Sequence, residues 1–266
     1  MKKNLLLICL FNFVLIGCAI SPTGRKQLIL VPDSQMDQMG SQAFSEMKTA
    51  TPVNKETKAN QYVQCIVSAL LKQVDASVAP EWELVVFEEP KTVNAFALPG
   101  GKIGVYTGMM KVATTQDELA AVIGHEIGHV IARHGNERVS TALVAEGGLA
   151  AVSAAMDKKD TKFNLLMAAL GLGAQFGVLL PHSRTQESEA DRIGLELMAK
   201  AGFNPNAAVQ LWKNMAKESG GEPPEFMSTH PSHQTRISRL QAAIAEVMPL
   251  YEQAKKEGRR PRCSMK

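Results

Sequence analysis

Two histidines one helical turn apart, with a glutamate directly after the first, constrain this fold more than any other feature of the sequence. His125, Glu126 and His129 lie in DELAAVIGHEIGHVIARHG, which is rich in helix formers, has apolar residues at turn spacing and lacks proline. Because positions four apart share one helical face, both imidazoles can bind one zinc ion. Glu126 can then accept a proton from a water that the metal activates. A half-buried helix with locally satisfied polar residues is the alternative unless a third ligand exists.

Carboxylates near residue 190 are the candidates for that third ligand. Glu187 and Asp191 are four apart and share a helical face, whereas Glu189 points elsewhere. One carboxylate can complete a site of two histidines and one acid, while the other holds a ligand histidine or acts on the leaving group. On its own the stretch also fits an exposed acidic helix start. His134 lies nine residues after His125 and faces away from the metal, so we expect it to cap the helix or lie on the surface.

Four motifs in a fixed order resemble one family of enzymes. They are NAFALPGGKIGVYTGMM at 94–110, HEIGHVIARH at 125–134, SRTQESEAD at 183–191 and STHPSHQTRISRL at 228–240. With these motifs the chain resembles the HtpX and CAAX-prenyl-protease-like family of zinc metallopeptidases, which are gluzincins. Within that family it is similar to the LoiP-like lipoprotein branch of the bacterial periplasm. The resemblance covers roughly residues 25–245.

The resemblance implies roles for five matching residues. His125, His129 and Glu187 would bind one Zn²⁺, Glu126 would be the catalytic base, and Asp191 would be a catalytic or ligand-supporting carboxylate. With these assignments the resemblance implies a zinc metalloendopeptidase.

Two further parts of the site follow from the same resemblance. In gluzincins an edge strand beside the active helix binds extended peptide, and NAFALPGG is similar to that strand, with Asn94, Ala95, Phe96 and Ala97 as substrate-binding candidates. A plain hairpin of the core is the alternative for each of these residues. His230, in the late His-Pro loop, would polarise the scissile carbonyl, occupy the open zinc position and hold the enzyme inactive, or have no role. We expect His233 and Arg236 to cap and salt-bridge the next helix.

The start of the sequence predicts a lipoprotein leader at 1–17. Two lysines precede an apolar run of about a dozen residues, whereas a bilayer span needs about 20. The run ends in Leu-Ile-Gly-Cys, which resembles the bacterial lipobox, so we expect cleavage before Cys18 and acylation of that residue. Ala19 follows rather than aspartate, which favours an outer-membrane lipoprotein facing the periplasm of a Gram-negative bacterium. An ordinary signal peptide or an uncleaved anchor is the alternative.

Charge and cysteine content narrow the partners and the redox state. Loss of the leader removes two lysines and lowers the formal charge from +3 to +1, so nothing points to nucleic acid. Once Cys18 is acylated, Cys65 and Cys263 are the remaining cysteines. In an oxidising periplasm we predict a disulfide between them, with two free thiols as the alternative.

The hydrophobic pattern predicts an α+β, mainly helical fold. Strand signals gather between residues 82 and 106, and the flanking segments have helical spacing. We expect an acylated cysteine and tether at 18–33 and one zinc metallopeptidase domain at 34–266, with a small β-sheet beside the HExxH helix. The alanine- and glycine-rich stretch 141–180 fits a helical hairpin insertion.

Combined, these features predict a zinc-dependent endopeptidase held by a lipid anchor in the bacterial envelope. Its substrates would be unfolded or misfolded envelope proteins, and it would associate with the outer-membrane assembly machinery in quality control. Two alternatives stay open. One is a chaperone-like assembly factor that binds with little turnover. The other is a zinc hydrolase acting on peptidoglycan peptides.

Overall fold

A computed structural model describes residues 18–145, 182–218, 225–230 and 236–265. Within these ranges the strands are β1 (Cys18–Ile20), β2 (Lys26–Leu28), β3 (Glu83–Phe87), β4 (Ala95–Leu98) and β5 (Lys102–Tyr106). The helices are α1 (Asp33–Ala50), α2 (Thr57–Leu71), α3 (Thr107–Val112), α4 (Gln116–Ile131), α5 (His134–Ala145), α6 (Arg184–Ala201), α7 (Ala207–Glu218), α8 (Glu225–Thr229) and α9 (Arg236–Lys256). The α+β, mainly helical class is confirmed. The leader at 1–17 and most of the 141–180 insertion lie outside the described residues.

A three-stranded sheet lies beside the helix that carries HEIGH. Its strand order is β3–β5–β4, with β5 parallel to β3 and antiparallel to β4. In the described part of the chain β4 is therefore an edge strand, and it packs against α4. One face of the sheet buries four aromatic rings within 5.4 to 6.3 Å of their neighbours: Phe44, Phe87, Phe96 and Tyr106. This buried face fixes the register that brings β4 to the HEIGH helix.

Two capping boxes set where the ligand-bearing helices begin. At the start of α4, the Thr115 side chain accepts from the Glu118 backbone N–H and the Glu118 side chain accepts from the Thr115 N–H. At the start of α6, Ser183 and Gln186 exchange the same pair of hydrogen bonds. Such caps satisfy N–H groups that the first helical turn leaves unpaired. They fix the helical phase of HEIGH and of the carboxylates on α6.

Glycines allow α4 and α6 to approach closely. A Cβ on Gly194 would lie 2.8 Å from the backbone nitrogen of His125, and a Cβ on Gly128 would lie 2.8 Å from the carbonyl oxygen of Ala190. Real side chains do not tolerate such distances, so the helices could not close with larger residues there. The short separation brings the carboxylates of α6 within reach of the histidines of α4.

A disulfide ties the C-terminal tail to the body of the domain. Cys65 on α2 and Cys263 are bonded, and their Cα atoms lie 5.7 Å apart. The tail also holds the start of α4, because Gln116 donates to the Pro261 carbonyl at 3.0 Å and accepts from the Cys263 N–H at 2.8 Å. The predicted pairing of the two cysteines is therefore present in the structure, and the tail braces the HEIGH helix.

The segment 18–33, expected to be a tether, contains two paired strands. It forms an antiparallel hairpin in which β1 pairs with β2 and Cys18 lies opposite Leu28. Arg25 at the hairpin turn makes a two-pronged contact with Glu137 on α5 at 2.5 and 2.7 Å. The hairpin is thus docked on the helical layer. Composition could not predict this contact, because it joins residues more than a hundred positions apart. Among the described helices, none has the length and apolarity needed to cross a bilayer.

Candidate metal centre and active site

Four buried side chains converge at the junction of α4, α6 and α8. One ligand atom from each of His125, His129, Glu187 and His230 lies within 4.8 Å of the others. The Nε2 atoms of His125 and His129 are 3.1 Å apart, and the Glu187 carboxylate lies 3.5 and 3.4 Å from them. The structure therefore brings together the three ligands implied by the sequence and adds the candidate His230.

The charges of the cluster fit a divalent cation. Burial opposes protonation of His125, yet Glu187 and Asp191 raise its pKa to about 9. Burial likewise opposes the charge of Glu187, but the neighbouring His230 and His125 hold its pKa well below the usual range. Buried carboxylates here thus demand a positive charge. Imidazole nitrogens with one carboxylate oxygen form the ligand set that zinc favours in hydrolytic sites.

His230 joins the cluster from the residue that directly follows α8. Its Nδ1 atom lies 2.9 Å from Glu187 Oε1 and 3.2 Å from His125 Nε2. The ring stacks on Phe226 with centroids 4.4 Å apart, and the His230 N–H donates to the Phe226 carbonyl at 2.8 Å. The structure thus places His230 in a fourth ligand position rather than in an exposed loop.

Asp191 supports His125 from behind. Its Oδ1 atom lies 3.0 Å from His125 Nδ1, the nitrogen that points away from the cluster. Burial opposes the charge of Asp191, but Arg236 donates to it at 2.7 Å and holds its pKa below the usual range. A carboxylate this close to the outer nitrogen of a zinc-bound histidine can orient the ring. Asp191 is therefore placed to hold a ligand.

Arg236 was expected to serve the helix that follows, and this expectation is wrong. Its guanidinium donates to Glu187 Oε2 and to Asp191 Oδ1, both at 2.7 Å, and its Cζ atom lies 3.8 Å from the centre of the Trp212 ring. A rigid, permanently charged fork matches two carboxylates better than any other side chain does. Arg236 therefore couples the third ligand to the residue that holds the first. His233, also expected to cap that helix, lies outside the described residues.

The prediction for His134 was right about the metal and wrong about its burial. His134 is not among the four clustered ligands, as predicted, but it is fully buried rather than a surface or capping residue. Its Nδ1 atom lies 2.8 Å from Nδ1 of His129. Its Nε2 atom lies 3.1 Å from Glu189, which points away from the metal as expected. The helical angle correctly left His134 out of the ligand set but did not predict its burial, because α4 ends at Ile131, before His134.

Glu126, the residue directly after His125, lies beside the cluster. Burial raises the pKa of this carboxyl, which suits a group that must take up and release a proton. The backbone amide of Ala97 on β4 lies close enough to the carboxylate to offset part of this rise in pKa. Oε1 is buried, has no hydrogen-bond partner among the described residues and lies 3.5 Å from His230 Nε2. That oxygen is available to a water beside the metal ligands.

A cleft of about 290 Å³ joins this site to the edge of the sheet. Its lining includes Glu126, His129, His230 and the four substrate-strand candidates Asn94, Ala95, Phe96 and Ala97. The ring of Phe96 packs into the aromatic cluster, so its side chain belongs to the core. The lining also includes His182, whose ring centre lies 4.1 Å from that of His129. Sequence analysis did not single out His182, because it precedes its helix and belongs to no spacing pattern.

The sequence profile of peptidase family M48 matches residues 57–244, a range that contains Glu126 and all four clustered ligands. The chain belongs to peptidase family M48. The zinc dependence of M48 agrees with the buried cluster, and the metallopeptidase identity expected from the sequence is confirmed at the level of the family. The finer placement in the LoiP-like branch is not decided by this match.

Relatives of this M48 chain include proteins from both eukaryotes and bacteria. It is 39% identical over 185 residues to the mitochondrial metalloendopeptidase OMA1 of Schizosaccharomyces pombe, which covers 68% of this chain and 52% of that protein. It is 29% identical over 247 residues to human OMA1, covering 88% and 47%. It is 24% identical over 227 residues to the β-barrel assembly-enhancing protease of Escherichia coli, covering 83% and 46%. The chain spans about half the length of these relatives.

Proposed function

We propose that this M48 chain is a zinc-dependent endopeptidase that cleaves polypeptides bound in extended form. The observation that carries the proposal is that two residues of the metal cluster, His129 and His230, line one cleft together with Glu126 and the edge strand β4. The relatives named above are, by name, metalloendopeptidases or a protease. A cleft that runs along a strand edge accepts the middle of a chain, which favours cleavage at internal bonds.

Each residue of the site has a defined task in peptide hydrolysis. His125, His129 and Glu187 would hold zinc, which when bound polarises water and carbonyl oxygens. Glu126 takes a proton from the attacking water and passes it to the leaving amine, as its buried, raised-pKa carboxyl allows. The Nδ1 atom of His230 lies 3.2 Å from Nε2 of His125. If His230 bound zinc as a fourth ligand, it would have to leave that position before water or substrate could take it.

The open edge of β4 explains how substrate would be held. The Tyr106 N–H donates to the Asn94 carbonyl, so Asn94 and Phe96 direct their backbone groups toward β5. Ala95 and Ala97 direct theirs toward the open edge, on the side where Glu126 lies near Ala97. An extended peptide would pair with this edge through main-chain hydrogen bonds. Recognition would therefore depend on extended backbone more than on side-chain sequence.

Backbone methylation of a substrate tests this mode of binding. We expect N-methyl groups on alternate amides of one parity, those facing β4, to raise KM about fivefold for each methyl group, because each lost hydrogen bond costs about 1 kcal/mol. The same number of N-methyl groups on the other parity is the matched control, since those amides point away from β4. The measurement is cleavage of fluorogenic peptides that differ only in methyl positions. Equal effects of both parities would contradict strand pairing.

We further propose that the chain is a lipoprotein of the bacterial envelope, in the LoiP-like branch. Support comes from the sequence: a short apolar run ends in Leu-Ile-Gly before Cys18, and Ala19 follows. OMA1 proteins carry a mitochondrial name, while the β-barrel assembly-enhancing protease comes from a bacterium. A multiply acylated cysteine anchors stably, since each buried CH₂ contributes about 0.8 kcal/mol. Outer-membrane location on the periplasmic side is part of this proposal.

Inhibition of the lipoprotein signal peptidase tests the anchor. With globomycin we expect an uncleaved precursor to accumulate in the bacterium that makes this chain. The drug blocks the signal peptidase that would cleave before the acylated Cys18. The measurement is the electrophoretic shift of the protein with and without the drug. Cys18→Ser is the control, since its migration should not respond to the drug. A wild-type protein that matures normally under globomycin would remove the lipoprotein proposal and leave the zinc site unaffected.

Unfolded or misfolded envelope proteins are the proposed substrates. Extended segments reach a strand edge only when a protein is not fully folded, so selection by backbone gives selection by folding state. The name of the E. coli relative refers to β-barrel assembly, which supports association of this chain with outer-membrane assembly machinery.

A further inference from the structure

The zinc ligand His129 is held from behind by residues of three separate elements. His134, at the start of α5, lies 2.8 Å from His129 between their Nδ1 atoms. Glu189 on α6 lies 3.1 Å from the other nitrogen of His134. Arg25 and Thr23, at the turn of the N-terminal hairpin, both donate to the Glu189 carboxylate at 2.9 and 2.5 Å. A continuous chain of contacts thus runs from the hairpin to a metal ligand.

The proton positions along this series of hydrogen bonds have one consistent assignment. His129 directs Nε2 toward the other ligands, so its Nδ1 carries the proton when Nε2 binds metal. That N–H donates to His134 Nδ1, which leaves the proton of neutral His134 on Nε2. The second N–H donates to the Glu189 carboxylate. Each group therefore fixes the tautomer and the ring orientation of the next.

The hairpin holds the outer end of this series of contacts. The side chain of Glu189 is only 3% exposed, and Arg25 is the cation that pairs with it. Arg25 is itself held in place by Glu137, which makes a two-pronged contact with it and also accepts from Gln186 at 2.8 Å. If the hairpin moved away, Glu189 would lose both its cation and the Thr23 hydroxyl. The carboxylate would then no longer be fixed opposite His134.

We propose that His134 and Glu189 are positioning residues for the zinc ligand His129, and that Arg25 and Thr23 of the N-terminal hairpin hold them in place. Zinc affinity would consequently depend on the docking of the segment that directly follows Cys18. This inference rests on the zinc site of the proposed function, and it is independent of the substrate and of the compartment. His125 has its own support in Asp191, so the two histidine ligands are held by different parts of the chain.

Zinc binding by the full-length chain in detergent tests the proposal. The variants are Glu189→Gln, which keeps the size but removes the charge, and Arg25→Ala. We expect Glu189→Gln to weaken zinc binding by about 10- to 100-fold and Arg25→Ala by about tenfold, the usual range for groups that support a ligand. Competition with a chromophoric chelator measures the dissociation constant, and the visible spectrum of the cobalt-substituted protein reports ligand geometry. Neither readout requires activity.

Two matched variants separate positioning from general stability. Lys26→Ala removes a neighbouring charge from the same hairpin, and Glu196→Gln makes the same change at an exposed carboxylate of α6 that pairs with Lys200. Both should bind zinc like the wild type. Arg25→Lys should fall between wild type and Arg25→Ala, because lysine keeps the charge but not the planar fork. Thermal unfolding of the metal-free proteins verifies that each variant folds.

The outcomes are distinct. Weaker zinc binding and an altered cobalt spectrum in folded Glu189→Gln and Arg25→Ala, with both controls unchanged, support the proposal. Wild-type zinc affinity in folded Glu189→Gln overturns it, and wild-type affinity in Arg25→Ala removes the hairpin from it. If the wild type binds zinc but cleaves no polypeptide, the proposed function fails while the positioning inference still receives its answer.

Discussion

Glu126→Gln is expected to abolish peptide hydrolysis while the protein keeps one zinc ion per chain. Glutamine has the size of glutamate but cannot accept the proton of the attacking water, so the rate should fall by about 10²- to 10⁴-fold. The three proposed ligands are untouched, and the backbone contact with Ala97 can persist through the amide oxygen. The measurement is digestion of unfolded casein by the purified protein, with zinc content by atomic emission.

Glu196→Gln is the matched control, because it makes the same change at an exposed carboxylate on α6 and should leave both readings unchanged. Residual casein digestion by a pure Glu126→Gln sample at the wild-type rate would reject Glu126 as the base. Loss of zinc from a folded sample would instead assign it a structural part in the metal site.

The same variant separates the proposed protease from its two rivals. A chaperone-like factor that only binds would still function in cells with Glu126→Gln and would fail only when the gene is deleted. A hydrolase for peptidoglycan peptides would digest muropeptides in preference to casein, and both reactions would require Glu126. Loss of function in cells with the variant, together with casein digestion by the wild type, supports the protease.

The sequence predicted the ligands because their spacing is local. His125 and His129 are one turn apart on a single helix, and Glu187 and Asp191 repeat that spacing on another. Local periodicity holds wherever a helix continues. It fails at His134, because α4 ends at Ile131 and Arg133 adopts a left-handed backbone with φ of 57°. The helical angle from His125 therefore says nothing about His134, which turns back toward His129.

Contacts between distant segments could not be predicted from sequence patterns. Arg236 reaches Glu187 and Asp191 across 49 and 45 positions, and no spacing rule links a residue after one loop to carboxylates on another helix. Arg25 meets Glu189 across 164 positions. The small sheet was foreseen from its alternating residues, whereas the parallel pairing of β3 with β5 depended on how the chain packs.

Arg236→Ala should have the largest effect on stability. The arginine is 6% exposed and is the cation between Glu187 and Asp191, both held at 2.7 Å. Removing one partner of a buried ion pair leaves charge without compensation, which costs about 3–5 kcal/mol. Stacking on Trp212 is lost as well. The measurement is the free energy of unfolding in urea, taken on zinc-loaded and on metal-free protein.

The comparison of those two states distinguishes electrostatic coupling from packing. Zinc would supply positive charge to Glu187, so the loss in Arg236→Ala should be larger in the metal-free protein if charge is the main cause. Arg239→Ala, one turn along the same helix and at the surface where Arg239 contacts Ser188, is the control with a small expected effect. Arg236→Lys keeps the charge without the fork and should recover only part of the loss.

An equal loss with and without zinc would assign the effect to packing on Trp212. A negligible loss in both states would show that the two carboxylates do not need Arg236.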